Sequence, residues 1–317
     1  MEYYRYDEKI ENDTSDIENK AGLCRITCGW KKPELPIDWV RRYWRDVHSP
    51  AIARRAGIYD YRHYQYDPVR NDILSPIDDI EYEAPTLEQL MWTSDVRYRD
   101  EAALAVFDKS PEGKPKTNIL GDIDIIVDQS TTYRALDENA KTYVDDTGIA
   151  IPQGPCASPT FALFVRSRSD EVEFRSCLRQ LAEAWSKKLG VLRLRLSLFD
   201  APDMEKERKA GYPVKTHPVE RQYQACIELV LDTVARGQSL LQPDDRIDYA
   251  AHISTIHAYP VRVVYTSNYN GKPTLVGLRG YPAYEALTAL DAQNQRQTSL
   301  LEWMYGDIAK NGTAEDE

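Results

Sequence analysis

One order of strand-like and helix-like segments occurs twice in this 317-residue chain, and that repetition constrains the fold most. Four segments of the first half have the aromatic and β-branched content of strands: LCRITCGW, YDYRHYQY, QLMWTSDV and GDIDIIVDQ. RDEAALAVF predicts a helix between the last two strands. An apolar stripe with i, i+3, i+4, i+7 spacing predicts another helix after the first strand, formed by Val40, Tyr43, Trp44 and Val47.

The second half has the same order of segments. Its predicted strands are TFALFVRSR, VLRLRLSLF, ACIELVLD and AAHISTIHAY. TVARGQSLL predicts a short helix, and the clearest helix in the chain has one apolar face made by Phe174, Cys177, Leu178, Leu181 and Trp185. Each half therefore predicts the β-α-β-β-α-β order of a ferredoxin-like unit.

A ferredoxin-like sheet carries helices on one face only, so its other face must also be covered. The predicted fold class is therefore α+β, with two tandem ferredoxin-like units whose sheets face each other inside one chain. An unrelated two-domain α+β protein is the alternative. The predicted boundaries are a polar N-terminal arm at 1–21, a first unit at 22–134, a linker at 135–158, a second unit at 159–305 and a disordered tail at 306–317.

Charge and hydropathy narrow the range of partners. The chain has 40 basic and 51 acidic residues and a net charge of −11, which disfavours nucleic acid as a partner because such binding needs a basic face. No apolar run approaches the roughly 18 to 20 residues that span a membrane. The acidic N-terminus lacks the pattern of a secretory signal, and five scattered cysteines suggest a reduced, cytoplasmic protein. We expect a small-molecule partner and allow for a homodimer.

One stretch, WVRRYWRDVHSPAIARRAGIYDYRHYQY, carries a resemblance to a known family. It combines an aromatic helix ending in Tyr43-Trp44, the triplet His48-Ser49-Pro50, a short turn, Gly57 and the strand tyrosine Tyr61. In these features the region from about residue 22 to 130 resembles the EthD-type branch of the dimeric α+β barrel superfamily. The second half matches only in its order of elements and lacks the histidine triplet. The resemblance therefore implies an active site mainly in the first half.

The resemblance also implies a class of ligand. Members of this superfamily commonly bind a hydrophobic small molecule between sheet and helices. They include cofactor-independent monooxygenases, polyketide cyclases, isomerases, lyases and haem-dependent branches. Fold analogy alone does not choose among these activities.

The tyrosine-rich strand supplies several candidate site residues in a chain with 21 tyrosines and only 5 phenylalanines. Alternation along a strand places five side chains on one face: Tyr59, Tyr61, His63, Gln65 and Asp67. Aromatic, imidazole and amide groups together suit a site that holds a phenolic ring and moves a proton. The alternative is an edge strand with solvent-facing polar residues. His48, one helical turn beyond Trp44, is a second proton-transfer candidate or else a capping or packing histidine.

Acidic and basic side chains are expected inside the barrel. If GDIDIIVDQ is a strand, its isoleucines face helices and Asp122 and Asp124 face inward. The leucines of VLRLRLSLF likewise send Arg193 and Arg195 inward. Because buried charges need partners, we expect these arginines to pair with Asp122 and Asp124 in a structural network. The alternative is that one arginine remains available for a substrate anion.

The remaining motifs are weak. His252 and His257 are five apart on one predicted strand, so they point to opposite faces, and His217 is expected to be solvated in a charged loop. The chain has no dinucleotide-binding, P-loop or serine-hydrolase motif. No metal and no organic cofactor are predicted.

The predicted function is a cofactor-independent elimination or rearrangement by general acid/base catalysis, as in a lyase, dehydratase or cyclase, on an aromatic or hydrophobic molecule. The predicted catalytic residues are His48, His63, Tyr61 and Asp124. The predicted substrate-binding residues are Trp44, Tyr59, Gln65, Arg195 and Asp122. The alternatives are a cofactor-free monooxygenase of an electron-rich aromatic, a non-catalytic protein that binds an aromatic ligand, and a haem protein with an axial ligand.

Overall fold

A computed structural model describes residues 15–111, 113–213, 215–240 and 248–306. Residues 1–14 of the predicted arm and 307–317 of the predicted tail lie outside this part of the chain. In the remainder of the predicted arm, α1 covers Ser15–Glu18, and the side chain of Glu18 is buried.

The first unit has the predicted arrangement of strands and helices. Its elements are β1 Leu23–Lys31, α2 Ile37–Tyr43, a π-helical turn Trp44–His48, α3 Ser49–Ala53, β2 Asp60–Tyr66, β3 Trp92–Tyr98, α4 Glu101–Lys109, α5 Lys114–Ile126 and β4 Val127–Leu136. The strands pair antiparallel in the order β4-β1-β3-β2. This is the strand order of a ferredoxin-like unit, with every helix of the unit between strands.

The second unit repeats the same topology. It consists of β7 Thr160–Ser167, α6 Glu171–Trp185, β8 Val191–Leu198, α7 Met204–Lys209, β9 Ala225–Leu231, α8 Tyr249–His252 and β10 Ile253–Tyr269, after β5 Ala140–Asp145 and β6 Gln153–Pro155. Its order is β10-β7-β9-β8, and β5 extends the far edge. The segment TVARGQSLL, predicted as a helix, forms only a 3₁₀ turn at Val234–Ser239.

The long strand β10 joins the two units. Its first part pairs with β7, and its second part pairs with β2 of the first unit. All strands of the described residues therefore belong to one curled antiparallel sheet, and the two halves of that sheet face each other across an interior. Tyr64 Oη, for example, donates to Glu228 Oε2 across that interior at 3.0 Å. The predicted fold class, two tandem ferredoxin-like units that form an α+β barrel within one chain, is confirmed.

The chain after β10 adds a short strand and three helices: β11 Lys272–Pro273, α9 Leu275–Arg279, α10 Tyr281–Ala289 and α11 Thr298–Tyr305. The sequence predicted one helix between Tyr281 and Tyr305, where the structure has two. None of the helices in the described ranges has both the length and the apolar character needed to cross a membrane.

The strand predicted for GDIDIIVDQ is wrong. Its first six residues form the end of α5, and β4 begins only at Val127. Pro115 in the first turn favours the start of a helix, and three-residue spacing brings Leu120, Ile123 and Ile126 to the inner side. Ile125 is 60% exposed, which is the reverse of the strand alternation. Asp122 and Asp124 therefore lie on a helix and do not face the barrel interior.

The barrel interior contains a buried ion-pair network, as predicted, but its acids are different. Arg193 pairs with Glu228 at 2.9 Å, with Glu18 at 2.7 Å and with Asp145. Glu18 also accepts from Arg62 at 2.5 Å and thereby connects the two halves of the sheet. The inward placement of Arg193 and Arg195 is confirmed, whereas the expected pairing with Asp122 and Asp124 is wrong because those aspartates lie on α5.

Candidate active site

A cavity lies between the helix-facing side of the first unit's sheet and the helices of that unit. Its volume is about 80 Å³, and its mouth opens to solvent. Its apolar wall includes Ile52, Val96, Phe107, Leu120 and Ile123, and its polar wall includes Thr27, His48, Tyr61 and Ser94. In the second unit the equivalent space is filled by core side chains of α6 and β8, including Leu178, Leu181, Trp185, Leu194 and Leu196.

A π-helical turn shapes the polar wall of the cavity. The backbone N–H of Ser49 donates to the carbonyl of Trp44, five residues earlier. Pro50 lacks the N–H that an α-helix would direct to the carbonyl of Asp46, which removes one competing α-helical bond. The five-residue repeat brings the side chains of Tyr43 and His48 to the same side of the turn, where both reach Asp122.

Asp122, which is half-buried, and the buried His48 form a pair at the cavity. Asp122 Oδ2 lies 3.1 Å from His48 Nδ1, and Tyr43 Oη donates to Asp122 Oδ1 at 2.7 Å. Burial alone would raise the pKa of Asp122, but the hydrogen bonds from His48 and Tyr43 outweigh it and lower that pKa. Burial and the bond to Asp122 raise the pKa of Tyr43 to about 12. At neutral pH the carboxyl group is therefore ionised and the phenol is protonated.

This pairing fixes the orientation of the imidazole. A carboxylate at Nδ1 favours the tautomer that carries its proton there and leaves Nε2 as the basic nitrogen. Within the described residues, no hydrogen bond occupies His48 Nε2. The side chain of His48 also lines the cavity, so this nitrogen is available for proton transfer to a bound molecule.

Hydroxyl and indole groups surround the histidine on the same wall. Tyr61 Oη donates to Ser49 Oγ at 3.0 Å and lies 3.5 Å from Ser94 Oγ. Trp44 Nε1 donates to Ser94 Oγ at 3.2 Å, and the Trp44 ring lies 4.1 Å from the His48 ring, centroid to centroid. Burial raises the pKa of Tyr61, so its phenol stays protonated. These groups can hold an oxygen atom of a bound molecule close to the histidine.

The other predicted residues of β2 do not reach the cavity. Tyr61, His63 and Gln65 share one face of the strand, as the alternation predicted, but only Tyr61 lines the cavity. His63 is fully buried, with its ring 6.3 Å from that of Trp44, and burial, followed by the electrostatic effects of His48 and Arg45, lowers its pKa to about 3. Gln65 Nε2 donates to the carbonyl of Arg41 at 3.1 Å. The alternative of an exposed edge strand is wrong, because β2 lies between β3 and β10.

Three further predicted residues also lie elsewhere. Tyr59 Oη donates to the carbonyl of Ile17 at 3.0 Å. Asp124 is exposed on α5, with Oδ1 3.3 Å from Lys215 Nζ. Arg195 lies in the barrel interior and donates to Thr142 Oγ1 at 2.9 Å. Of the nine predicted site residues, the structure brings together His48, Tyr61, Trp44 and Asp122.

Two other histidines, His217 and His257, do not line the cavity. His217, expected to be solvated, is buried with its ring centroid 4.2 Å from that of Trp30. His257 is also buried and contacts Tyr223 Oη through Nδ1 at 2.7 Å. Within the described ranges, no three or more His, Cys, Asp and Glu side chains are grouped so that they could hold a metal ion.

Another part of the cavity wall carries cationic and aromatic side chains that were not predicted from the sequence. Arg25, Arg55 and Tyr212 line it there, and the guanidinium carbon of Arg25 lies 3.9 Å from the centre of the Tyr212 ring. Arg25 also pairs with Glu207 of α7. The only available signal was a lone arginine among apolar residues in LCRITCGW, because Tyr212 lies in a loop whose position the sequence did not indicate.

The strand order and the cavity define an architecture: a dimeric α+β barrel whose two ferredoxin-like units are contained in one chain. No family model and no curated protein matches the sequence. Among solved structures, a candidate monooxygenase from Fusobacterium nucleatum is 12% identical with a TM-score of 0.43, over 80% of this chain and 97% of that one.

Two other solved structures are similar at the same level. An anthrone oxidase-like protein is 8% identical, with a TM-score of 0.42, over 77% of this chain and 92% of its own. A chlorite dismutase variant from Candidatus Nitrospira defluvii is 9% identical, with a TM-score of 0.38, over 78% and 94%. Because these TM-scores are below 0.5, the fold assignment rests on the strand order of this chain.

Proposed function

We propose that this chain is an enzyme that uses His48 as a general base on an aromatic or other hydrophobic small molecule. The observation that carries the proposal is the pair formed by His48 and Asp122, whose imidazole lines an apolar cavity with Nε2 unoccupied by the described residues. An oriented histidine beside a carboxylate contributes about 10²- to 10⁴-fold to proton-transfer reactions. Asp122 acts as the positioning residue of this pair.

The proposed reaction is an elimination or rearrangement. His48 Nε2 removes a proton from a carbon or hydroxyl group of the substrate, and Asp122 stabilises the imidazolium that forms. Tyr61, whose phenol is protonated, turns its O–H from Ser49 Oγ to the substrate oxygen that gains negative charge and donates a hydrogen bond to it. The imidazolium then returns the proton to a leaving hydroxyl group or to another carbon. These steps use side chains of this protein alone.

We also infer that the first unit is of the EthD type. The residues that carry this resemblance include four that form the cavity wall or its hydrogen bonds: Trp44, His48, Ser49 and Tyr61. The triplet His48-Ser49-Pro50 supplies the histidine, a hydroxyl acceptor for Tyr61 and the proline beside the π-helical turn. The lyase-type reaction and the EthD assignment therefore rest on the same residues.

A screen of phenolic and polyphenolic compounds tests the proposal. Purified protein is incubated with each compound under air and under nitrogen, and products are separated by chromatography. The comparison includes His48→Asn and, as a matched control, His252→Asn, because His252 lies outside the cavity on α8. We expect a product that forms under both gases, that decreases at least about 100-fold with His48→Asn, and that is unchanged with His252→Asn.

The other outcomes distinguish the alternatives. A product that forms only under air supports cofactor-free oxygenation, in which deprotonation by the same histidine gives an electron-rich anion that reacts with oxygen. Tight binding without any product supports a binding protein. Equal turnover by His48→Asn and the wild type contradicts the proposed base.

A further inference from the structure

Among the described residues, one cationic side chain in the cavity wall has no acidic partner. Arg55, just after α3, is 4% exposed, and its guanidinium carbon lies 3.6 Å from the centre of the Phe107 ring. Arg55 Nε donates to the carbonyl of Ser110 at 2.5 Å, and Nη2 donates to the carbonyl of Phe107 at 2.7 Å and to Tyr212 Oη at 3.1 Å. All of these partners are neutral. Within the described residues, no carboxylate lies within 4 Å of this guanidinium.

The neighbouring Arg25 differs from Arg55 because it has acidic partners. It lines the same cavity and is equally buried, but it pairs with Glu207, and its Nη1 lies 3.7 Å from Asp108 Oδ1. Of the described acids near this part of the wall, Glu207 and Asp108 are therefore already engaged. Asp108 additionally accepts from Tyr212 Oη at 3.0 Å. Lys116 Nζ adds a further positive charge 5.8 Å from the centre of the Tyr212 ring.

A buried charge without a counter-charge is costly, because neutral carbonyl groups orient a guanidinium but do not neutralise it. Arginine is over-represented where a planar carboxylate or a phosphate is recognised, so a ligand of that kind can supply the missing charge. Arg55 Nη1 has no hydrogen-bond partner among the described residues, and the side chain lines the cavity, so a bound carboxylate can contact it.

We propose that Arg55 is an anion subsite and that the molecule bound in this cavity is an aromatic carboxylate. This inference rests on the proposed function because Arg55 and His48 line the same cavity. The carboxylate pairs with Arg55, the ring contacts the apolar wall, and the group that loses a proton faces His48.

Two probes with the same ring test the subsite without knowledge of the natural substrate. 2-Naphthoate carries a carboxylate, whereas 2-naphthalenemethanol is neutral and of similar shape. Their dissociation constants are measured by fluorescence titration for the wild type, Arg55→Gln and Arg54→Gln. Arg54 is a matched control because it is exposed and donates to the carbonyls of Pro50 and Leu278 outside the cavity wall.

We expect the wild type to bind 2-naphthoate at least about tenfold more tightly than the alcohol, as a charge-assisted hydrogen bond would give. Arg55→Gln should lose that preference, and Arg54→Gln should keep it. Circular dichroism establishes that both variants are folded. If Arg55→Gln does not fold, equal affinities of the wild type for the two probes still overturn the subsite, and Arg55→Lys replaces Arg55→Gln, with a weaker preference for 2-naphthoate expected.

Equal affinities of the wild type for the two probes, or a preference that persists in folded Arg55→Gln, would overturn the anion subsite and leave the proposed acid/base function in place. Absence of binding by either probe to the folded wild type would overturn the subsite and would also contradict the aromatic-binding part of the proposed function.

Discussion

Asp122 Oδ2 lies 3.1 Å from His48 Nδ1, although 74 positions separate the two residues in the chain. The contact depends on two elements: α5 presents the aspartate, and the π-helical turn presents the histidine beside Tyr43. A regular α-helix would not place residues 43 and 48 on the same side, because its period is 3.6 residues. The local geometry of one turn therefore determines the orientation of the imidazole at the cavity.

Asp122→Asn should lower kcat by about 10- to 100-fold with little change in KM, because Asp122 orients the histidine and does not line the cavity itself. The measurement is steady-state kinetics on a compound from the phenolic screen. Asp124→Asn is the control, since Asp124 is two residues away and exposed on the same helix. An equal loss in both variants would mean that any change of charge on α5 has this effect.

Tyr61→Phe removes one hydroxyl group from the cavity wall and preserves the ring. We expect kcat/KM to fall by about tenfold or more, because a donor to the developing oxyanion is lost, and stability to change by no more than about 1.5 kcal/mol. Tyr59→Phe is the matched control, because its hydroxyl group contacts Ile17 outside the cavity. Unchanged kinetics in Tyr61→Phe would remove this tyrosine from the mechanism.

Glu18→Gln should destabilise the barrel by about 3 to 5 kcal/mol, because it leaves buried arginines without their shared carboxylate. Denaturant unfolding at pH 7 measures the effect. Glu183→Gln, which removes an exposed carboxylate paired with Lys187, should leave the unfolding midpoint unchanged. A stability of Glu18→Gln equal to that of the wild type would show that the network contributes little.

The same glutamate gives a pH dependence. Burial alone would raise the pKa of Glu18, but Arg193, Arg62 and two further arginines hold it well below its usual value. Its contribution is therefore fully present above the unfolded-state pKa, about 4.3, and is lost as the pH falls through the folded-state pKa. Wild-type stability should fall more steeply below pH 4.3 than that of Glu18→Gln. Parallel curves for the two proteins would contradict the predicted linkage.

His63 should make the protein less stable in mild acid. Burial, followed by the electrostatic effects of His48 and Arg45, lowers its pKa to about 3, so between pH 6.5 and 3 the unfolded chain binds a proton that the folded protein does not. From pH 7 to pH 5 this group removes about 2 kcal/mol of stability. Between pH 7 and pH 5, the free energy of unfolding should therefore fall by about 2 kcal/mol less in His63→Gln than in the wild type. Each protein is compared with its own value at pH 7. An unaltered pH dependence would contradict the neutral, buried assignment.

Much of the fold could be predicted because it follows from local periodicity. The alternation of VLRLRLSLF correctly places Leu194 and Leu196 against α6 and sends Arg193 and Arg195 inward. The apolar face of α6 and the order of elements in each half also agree with the structure. Such patterns reflect which side of an element is buried, and that information is present within each segment.

The site was less predictable because its key contacts depend on tertiary position. The isoleucines of GDIDIIVDQ fit the two-residue alternation of a strand and nearly fit the period of a helix. The segment forms a helix because this conformation buries Leu120 and Ile126. The sequence also gives no sign of the π-helical turn at Trp44–His48. Glu18 lies in a polar segment typical of a loose arm, and its burial is explained by tertiary contacts with four arginines and with Thr142.

A double-mutant cycle on His48 and Asp122 tests the central claim most directly. The kcat/KM of the wild type, His48→Asn, Asp122→Asn and the double variant is measured on one compound from the phenolic screen. If the two residues act as one unit, introducing Asp122→Asn into the wild-type protein lowers kcat/KM. Introducing the same substitution into His48→Asn causes no further loss of kcat/KM. Independent, multiplicative losses, or a His48→Asn variant as active as the wild type, would contradict the account.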